Sequence, residues 1–93
     1  MSEYFTLETE ATDDPHVLEI TVNQPLTDSA PEVYANFDEG DVGSPIAQML
    51  FNGVRGLRAL TITEHTLLVT RDPEFPWEDI VDEIRDALRD FFL

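Results

Sequence analysis

The side chains able to act as nucleophiles or general bases are few and scattered along this chain. It contains no cysteine, its serines are Ser2, Ser29 and Ser44, and its two histidines are His16 and His65. No serine lies in the Gly-x-Ser-x-Gly pattern of a nucleophile elbow, so a triad would have to be assembled from separate loops. The many carboxylates carry no sequence sign of the burial that a catalytic acid needs. The sequence therefore predicts a protein that is not an enzyme.

Acidic residues near a histidine are the candidate metal ligands. Asp13, Asp14 and His16 share one short segment, and Glu39 and Asp41 add carboxylates further on. Neither a calcium-loop spacing nor an HxxxH pair is present, and the lack of cysteine excludes thiolate-ligated zinc or iron–sulfur clusters. In a chain with 20 acidic residues, small acidic clusters arise by chance. We expect solvated turn residues and no bound metal or cofactor. A weak divalent-metal site at Asp13, Asp14 and His16 is a less favoured alternative.

The basic residues offer a different chemistry. All five are arginine, and Arg55 and Arg58 flank Gly56 between a predicted helix and a predicted hairpin. On so acidic a molecule, two neighbouring guanidinium groups can receive a carboxylate or a phosphate. This favours a small anionic-ligand or phosphopeptide-binding module as an alternative function. The simpler interpretation is that both arginines pair with acids of their own chain.

The charge balance excludes several classes of partner. Twenty acidic residues against five basic ones give a net charge of −15, which repels phosphate backbones and anionic lipid headgroups. No segment has the run of about 20 apolar residues that spans a bilayer, and the first residues do not resemble a secretory signal. We expect a cytoplasmic protein that binds neither nucleic acid nor membrane.

The lysine-free acidic surface also suits high salt, where screening weakens the repulsion between the acidic residues. A GC-rich genome explains the missing lysines equally well.

Hydrophobic spacing and turn signals predict the elements that must position these side chains. Strand-forming residues at 4–8 and period-two spacing at 17–22 predict two strands that pair as antiparallel neighbours. Alternation predicts a short edge strand at 33–37, and a hairpin joins 57–63 with 66–71 around Glu64 and His65. Residues 38–41 read as an acidic turn. Ser44 and Pro45 are the cap and first residue of a helix that ends at Gly53. Apolar residues spaced three and four apart from Trp77 to Phe92 predict a second, amphipathic helix.

These elements predict an α+β fold and one domain over residues 1–93. The expected order is β-β-β-α-β-β-α, with a mainly antiparallel sheet of four to five strands and two helices on one face. A chain of this length buries roughly two-thirds of its unfolded surface, which is enough for one modest core.

Several patches of sequence, in order, resemble a known family. Residues 9–15, TEATDDP, followed by Leu18, resemble the opening pattern TEATPNPNxL of the N-terminal domain of Nfu/NifU-type iron–sulfur scaffold proteins. Residues 44–47, SPIA, with Leu50 and Phe51, are similar to its SPLAxxLF helix, and Gly56 with Leu57 is similar to the GV step that follows. Residues 67–70, LLVT, resemble its ITVT strand, and the segment from Trp77 resembles its closing helix. The order and spacing agree from about residue 5 to residue 92.

This resemblance implies an α+β domain without known catalysis. In the family it is usually joined to a C-terminal domain whose CxxC pair carries the cluster. The 93 residues contain no cysteine, so we expect a stand-alone domain that cannot ligate a cluster through thiolates. Positions 13, 14, 16 and 19 also depart from the family's Asn- and Lys-containing pattern. The leading hypothesis is a non-enzymatic accessory domain that binds a protein, with iron–sulfur assembly proteins as the expected partners.

The candidate partner surface combines hydrogen-bonding groups with local positive charge. Its predicted members are Thr9, Glu10, Thr12, Ser44, Arg55 and Arg58. Each has a simpler structural explanation, because Ser44 also reads as a helix cap and Thr12 as a residue that satisfies a turn.

Overall fold

The structure, a computed structural model, describes residues 5–27 and 30–92. The predicted beginning of the first strand at Tyr4, and the serines Ser2 and Ser29, lie outside this part of the chain. The elements in chain order are β1 (Leu7–Ala11), β2 (Val17–Val22), β3 (Glu32–Tyr34), α1 (Phe37–Asp41), α2 (Pro45–Gly53), β4 (Leu57–Ile62), β5 (Thr66–Arg71) and α3 (Trp77–Phe92).

The five strands form one sheet in the order β1-β2-β5-β4-β3, and every neighbouring pair is antiparallel. The antiparallel pairing of β1 with β2 and the hairpin of β4 with β5 confirm the predicted contacts. The predicted bounds of the first strand were wrong, because β1 covers Leu7–Ala11 and residues 5 and 6 precede it. The third strand is at an edge, as expected, although it ends at Tyr34 instead of Phe37. The two N-terminal strands therefore lie on one side of the central β5, and β1 and β3 are the two edges.

One face of the sheet is buried and the other is open to solvent. Cross-strand pairs such as Ile20 with Leu67 and Leu60 with Val69 place the buried side chains on a single face, because side chains alternate along each strand. Buried residues of α2 and α3 pack against that face. The resulting core consists of Ile20, Val22, Leu26, Ile46, Ala47, Leu50, Phe51, Val54, Leu60, Ile62, Leu67, Val69, Ile80, Ile84 and Leu88.

Both predicted helices begin where the sequence indicated. Ser44 Oγ accepts a hydrogen bond from the Ala47 N–H (3.3 Å), and Pro45 occupies the first turn of α2. α3 buries Ile80, Ile84 and Leu88 and exposes its charged residues, with acids in the first turn and Arg89 in the last. This arrangement favours the helix dipole. The α+β fold with two long helices on one face of an antiparallel sheet is confirmed.

The prediction of an acidic turn at residues 38–41 was wrong, because the structure has a third, short helix there. Asn36 Oδ1 accepts the Glu39 N–H (2.9 Å), and Glu39 Oε1 accepts the Ala35 N–H (2.8 Å). The first hydrogen bond caps a helix of only five residues, and the second holds the residue just before the cap. Gly40 of this helix is buried against the ring of Phe51, where any Cβ would overlap the ring.

Candidate functional site: the open edge of β1 beside α3

The outer edge of β1 presents main-chain groups with no strand to bind them. The Val22 N–H donates to the His65 carbonyl and the Arg71 N–H to the His16 carbonyl, both at 2.9 Å. Even-numbered residues of β2 therefore direct their main-chain N–H and C=O groups to β5. Odd-numbered residues direct theirs to β1, because these groups alternate sides along an antiparallel strand. Glu8 and Glu10 are the partners of those odd-numbered residues.

It follows that Leu7, Thr9 and Ala11 direct their N–H and C=O groups away from β2. The Thr6 N–H, which donates to Asn23 Oδ1 (3.0 Å), fits the same alternation. Within residues 5–27 and 30–92, no strand pairs with this outer side of β1. An edge of this kind is a ready template for another extended chain.

A groove runs between this edge strand and α3. Its volume is about 410 Å³. Its sheet side carries Leu7, Thr9 and Leu18, and its helix side carries Trp77, Val81 and Arg85, with Glu78 and Asp82 at the rim. The three helix residues recur every fourth position, so they form a stripe beside the buried stripe of Ile80, Ile84 and Leu88. The groove thus has mostly apolar walls and an acidic rim.

One end of the groove is held in place by the indole of Trp77. Its Nε1–H donates to the Pro15 carbonyl (2.9 Å), and the Arg71 guanidinium lies over the ring at 5.2 Å from the centroid. Arg71 Nη1 also donates to the Phe75 carbonyl (3.1 Å). The aromatic wall is therefore preorganised, which lowers the entropy cost of binding against it.

The charges around the groove are strongly unequal. Glu8 and Glu10 project from the open face of β1, while Glu78 and Asp82 project from α3. Among the residues that the structure describes, Arg85 is the only cation lining the groove, and it already pairs with Asp82 (2.9 Å). Glu10 also lies directly opposite Glu19 on β2, and like charges in such cross-strand pairs repel.

Thr12 and the proposed metal ligands build the turn between β1 and β2. Thr12 Oγ1 donates to the Val17 carbonyl (2.8 Å) and accepts the Asp14 N–H (3.2 Å), while Asp14 Oδ1 accepts the His16 N–H (2.8 Å). His16 Nδ1 accepts a hydrogen bond from Arg71 Nε (3.4 Å), so a guanidinium cation lies beside this ring and disfavours a metal cation there. Across residues 5–27 and 30–92, no three acidic or histidine side chains gather as a metal site.

The other predicted site residues lie toward the opposite edge. Arg58 is on β4, which β2 and β5 separate from β1 by about 14 Å at the usual strand spacing. Ser44 caps α2, and Arg55 follows α2 in the loop to β4. The structure therefore places Thr9 and Glu10 on one edge strand and distributes Ser44, Arg55 and Arg58 elsewhere.

Both arginines near Gly56 have partners within the chain. Arg55 Nη2 pairs with Glu83 Oε2 (3.2 Å), and its main-chain N–H donates to Glu83 Oε1 (2.8 Å). Arg58 Nη2 pairs with Asp72 Oδ2 (3.2 Å). The pKa of Asp72 lies below its ordinary value, mainly because its carboxylate accepts the Glu74 main-chain N–H. The hydrogen bond and charge of Arg58 lower this pKa further, whereas desolvation opposes both effects. A second, smaller depression is lined by Phe37, Arg58 and Asp72. The Asp72 carboxylate would therefore lie against any anion bound there.

Comparison with known proteins supports a single family. A family model described as the N-terminal domain of the scaffold protein Nfu/NifU matches residues 7–93. The chain belongs to the Nfu/NifU N-terminal domain family. The fold is similar to the solution NMR structure of a NifU-like protein from Saccharomyces cerevisiae, with a TM-score of 0.77 and 25% sequence identity. The match covers 97% of this chain and 82% of that one. No functionally curated protein matches significantly.

In this Nfu/NifU N-terminal domain, sequence reasoning missed the helix side of the groove. The three–four spacing places Trp77 and Val81 on the apolar face of α3, and neither residue is among the predicted members of the partner surface. The available signal was the four-residue spacing of Trp77, Val81 and Arg85, which widens the apolar face beyond what one core stripe needs. No helix in the described part of the chain combines the length and apolar character needed to cross a bilayer.

Proposed function

We propose that this Nfu/NifU N-terminal domain is a non-enzymatic accessory domain that binds proteins of iron–sulfur cluster assembly or delivery. The observation that carries the proposal is the family match over residues 7–93 in a chain segment with no cysteine. Thiolates are the usual cluster ligands, so these residues contribute contact and not ligation.

The surface chemistry supports binding over catalysis. The described residues contain no buried polar or charged side chain. The Glu74 main-chain N–H and Arg58 lower the pKa of Asp72, a carboxylate that is already ion-paired. A catalytic acid would instead need a raised pKa. The anionic-ligand alternative has less support, because Arg55 and Arg58 are each neutralised by an acid of the same chain.

The test is capture of partners from the native host with the tagged domain, followed by analysis of iron and acid-labile sulfide in the recovered proteins. We expect recovery of a cysteine-containing cluster carrier with iron and sulfide bound to it. Anaerobic incubation of the purified domain alone with iron and sulfide is the control, and no cluster absorbance should develop. A cluster that forms on the isolated domain, or capture of proteins without any link to clusters, would overturn the proposal.

A further inference from the structure

We infer that β1 accepts an extended segment of a protein partner as a sixth strand, with apolar residues of that segment in the groove and lysine or arginine residues on the opposite side. This inference rests on the proposed function as a protein-binding domain and names its docking surface. The partner is thus defined by chemistry: a strand in which apolar and basic residues alternate.

The free main-chain groups of β1 supply the affinity. An added strand would bond to the outward N–H and C=O groups of Leu7, Thr9 and Ala11. Five residues of strand extend about 17 Å, which matches a partner segment of similar length. Addition of a strand to an exposed sheet edge is a recurrent way to bind extended peptides.

The groove supplies selectivity for apolar side chains. Every second residue of an added strand would point toward the helix side of the sheet, as Leu7 and Thr9 do. Those side chains would enter the space between β1 and the α3 stripe of Trp77 and Val81. Trp77 is already fixed by Pro15 and Arg71, so the aromatic wall is in position before the partner arrives.

The open face supplies selectivity for basic side chains. The intervening residues of the added strand would lie beside Glu8 and Glu10. Glu10 faces Glu19 across the β1–β2 pair, and none of the three has an ion-pair partner in the described part of the chain. A lysine or arginine from the partner would relieve this like-charge repulsion, and the net charge of −15 would speed its approach.

The same charges disfavour a second copy of this chain as the occupant. Pairing β1 with β1 of another molecule would bring Glu8 and Glu10 beside their own counterparts. Two chains of charge −15 also repel at long range.

The test uses a short, blocked, fluorescent peptide in which leucine alternates with lysine, measured by anisotropy. The first control is the same peptide N-methylated at alternate residues, which removes strand hydrogen bonding but keeps charge and apolar character. The second control replaces lysine with glutamate. We expect saturable binding of the parent peptide and at least tenfold weaker binding of both controls. Equal binding of the N-methylated peptide would overturn strand addition.

Matched proline variants locate the site. Thr9→Pro removes an outward N–H of β1 and leaves the β1–β2 ladder intact. Val33→Pro does the same on the opposite edge. The Thr63 N–H donates to the Thr66 carbonyl (2.9 Å), so odd-numbered residues of β4 bond to β5 and residues 60 and 62 bond to β3. Their partners on β3 are Glu32 and Tyr34, which leaves the Val33 N–H pointing outward. Peptide binding should fall at least tenfold in Thr9→Pro and stay unchanged in Val33→Pro. Equal loss in both, or in neither, would overturn the assignment to β1.

Amide hydrogen exchange keeps the test decisive if a proline variant unfolds. In the unaltered protein, the parent peptide should slow exchange at Leu7, Thr9 and Ala11, and unchanged exchange there would reject the inference. If Thr9→Pro still captures cluster proteins, the proposed function stands and this docking surface fails. If the peptide binds at β1 but no cluster proteins are captured, the docking surface stands and the proposed function fails.

Discussion

The two ends of the sheet contrast in how their polar groups are satisfied. At the α2–β4 end, the Ser44 hydroxyl caps a helix, Arg55 pairs with Glu83, and Arg58 pairs with an aspartate. At the β1 end, outward main-chain groups and the carboxylates of β1 meet no such partner within the described residues. The difference teaches that residue type alone does not make a site. A group already bound within its own chain stabilises the fold, whereas an unbound one remains available to another molecule.

The strongest test of this contrast is Gly56→Ala at the paired end. Gly56 has φ of 85°, and an added Cβ would lie 2.6 Å from the Phe75 ring. Backbone strain together with this overlap should lower the free energy of unfolding by about 3 kcal/mol, measured by urea denaturation. Gly53→Ala is the matched control, because nothing lies within 4 Å of its Cβ position. Equal stability of the two variants would contradict this account of the Gly56 turn.

A smaller loss is expected for Ser44→Ala, which removes the cap of α2. The Ala47 N–H would lose its side-chain acceptor, and the free energy of unfolding should fall by about 1 kcal/mol. Ser44→Asp keeps an acceptor and should restore most of the loss. Peptide binding at β1 should be unaffected by either variant. Weaker peptide binding in a folded Ser44→Ala protein would instead connect the two ends.

Asp72→Asn should make stability depend less on pH. Because the folded-state pKa of Asp72 is depressed, its ionised form contributes stability above the ordinary pKa of 3.8. That contribution is lost as pH falls through the folded-state value. Asp72→Asn should therefore be less stable than the parent at neutral pH and converge with it in acid, measured by urea denaturation across pH. A constant difference across the whole range would assign the effect to packing.

The smallest effect is expected for Glu10→Gln at the open end, and it should have the opposite sign. Removing one charge from the Glu10–Glu19 pair should raise the free energy of unfolding by about 0.3 kcal/mol. Glu8→Gln, opposite Thr21, is the control and should change stability less. Both variants should weaken binding of the leucine–lysine peptide. A loss of stability in Glu10→Gln would mean that this carboxylate has a structural role.

Local sequence signals were sufficient for most of the fold. Ser44 with Pro45 predicted the start of α2, and the spacing from Trp77 to Phe92 predicted α3. The short helix at Phe37–Asp41 was missed although Asn36 and Glu39 have the spacing of a capping pair. Its glycine and acidic residues favour a turn, and the packing of Gly40 against Phe51 outweighs that preference.

The candidate site was less accessible to sequence reasoning. Thr9 and Glu10 were named from the resemblance alone, and the free edge beside them depends on strand order, which no local pattern specifies. The pairing of Arg55 with Glu83 joins residues 28 positions apart. Spacing could suggest that these arginines have partners, but only the packing of α3 beside α2 determines which acid lies within reach.

The position of Trp77 makes the domain its own optical sensor. It is the only tryptophan in the sequence, and its indole forms one wall of the groove. Occupation of the groove should therefore alter intrinsic emission without any attached dye.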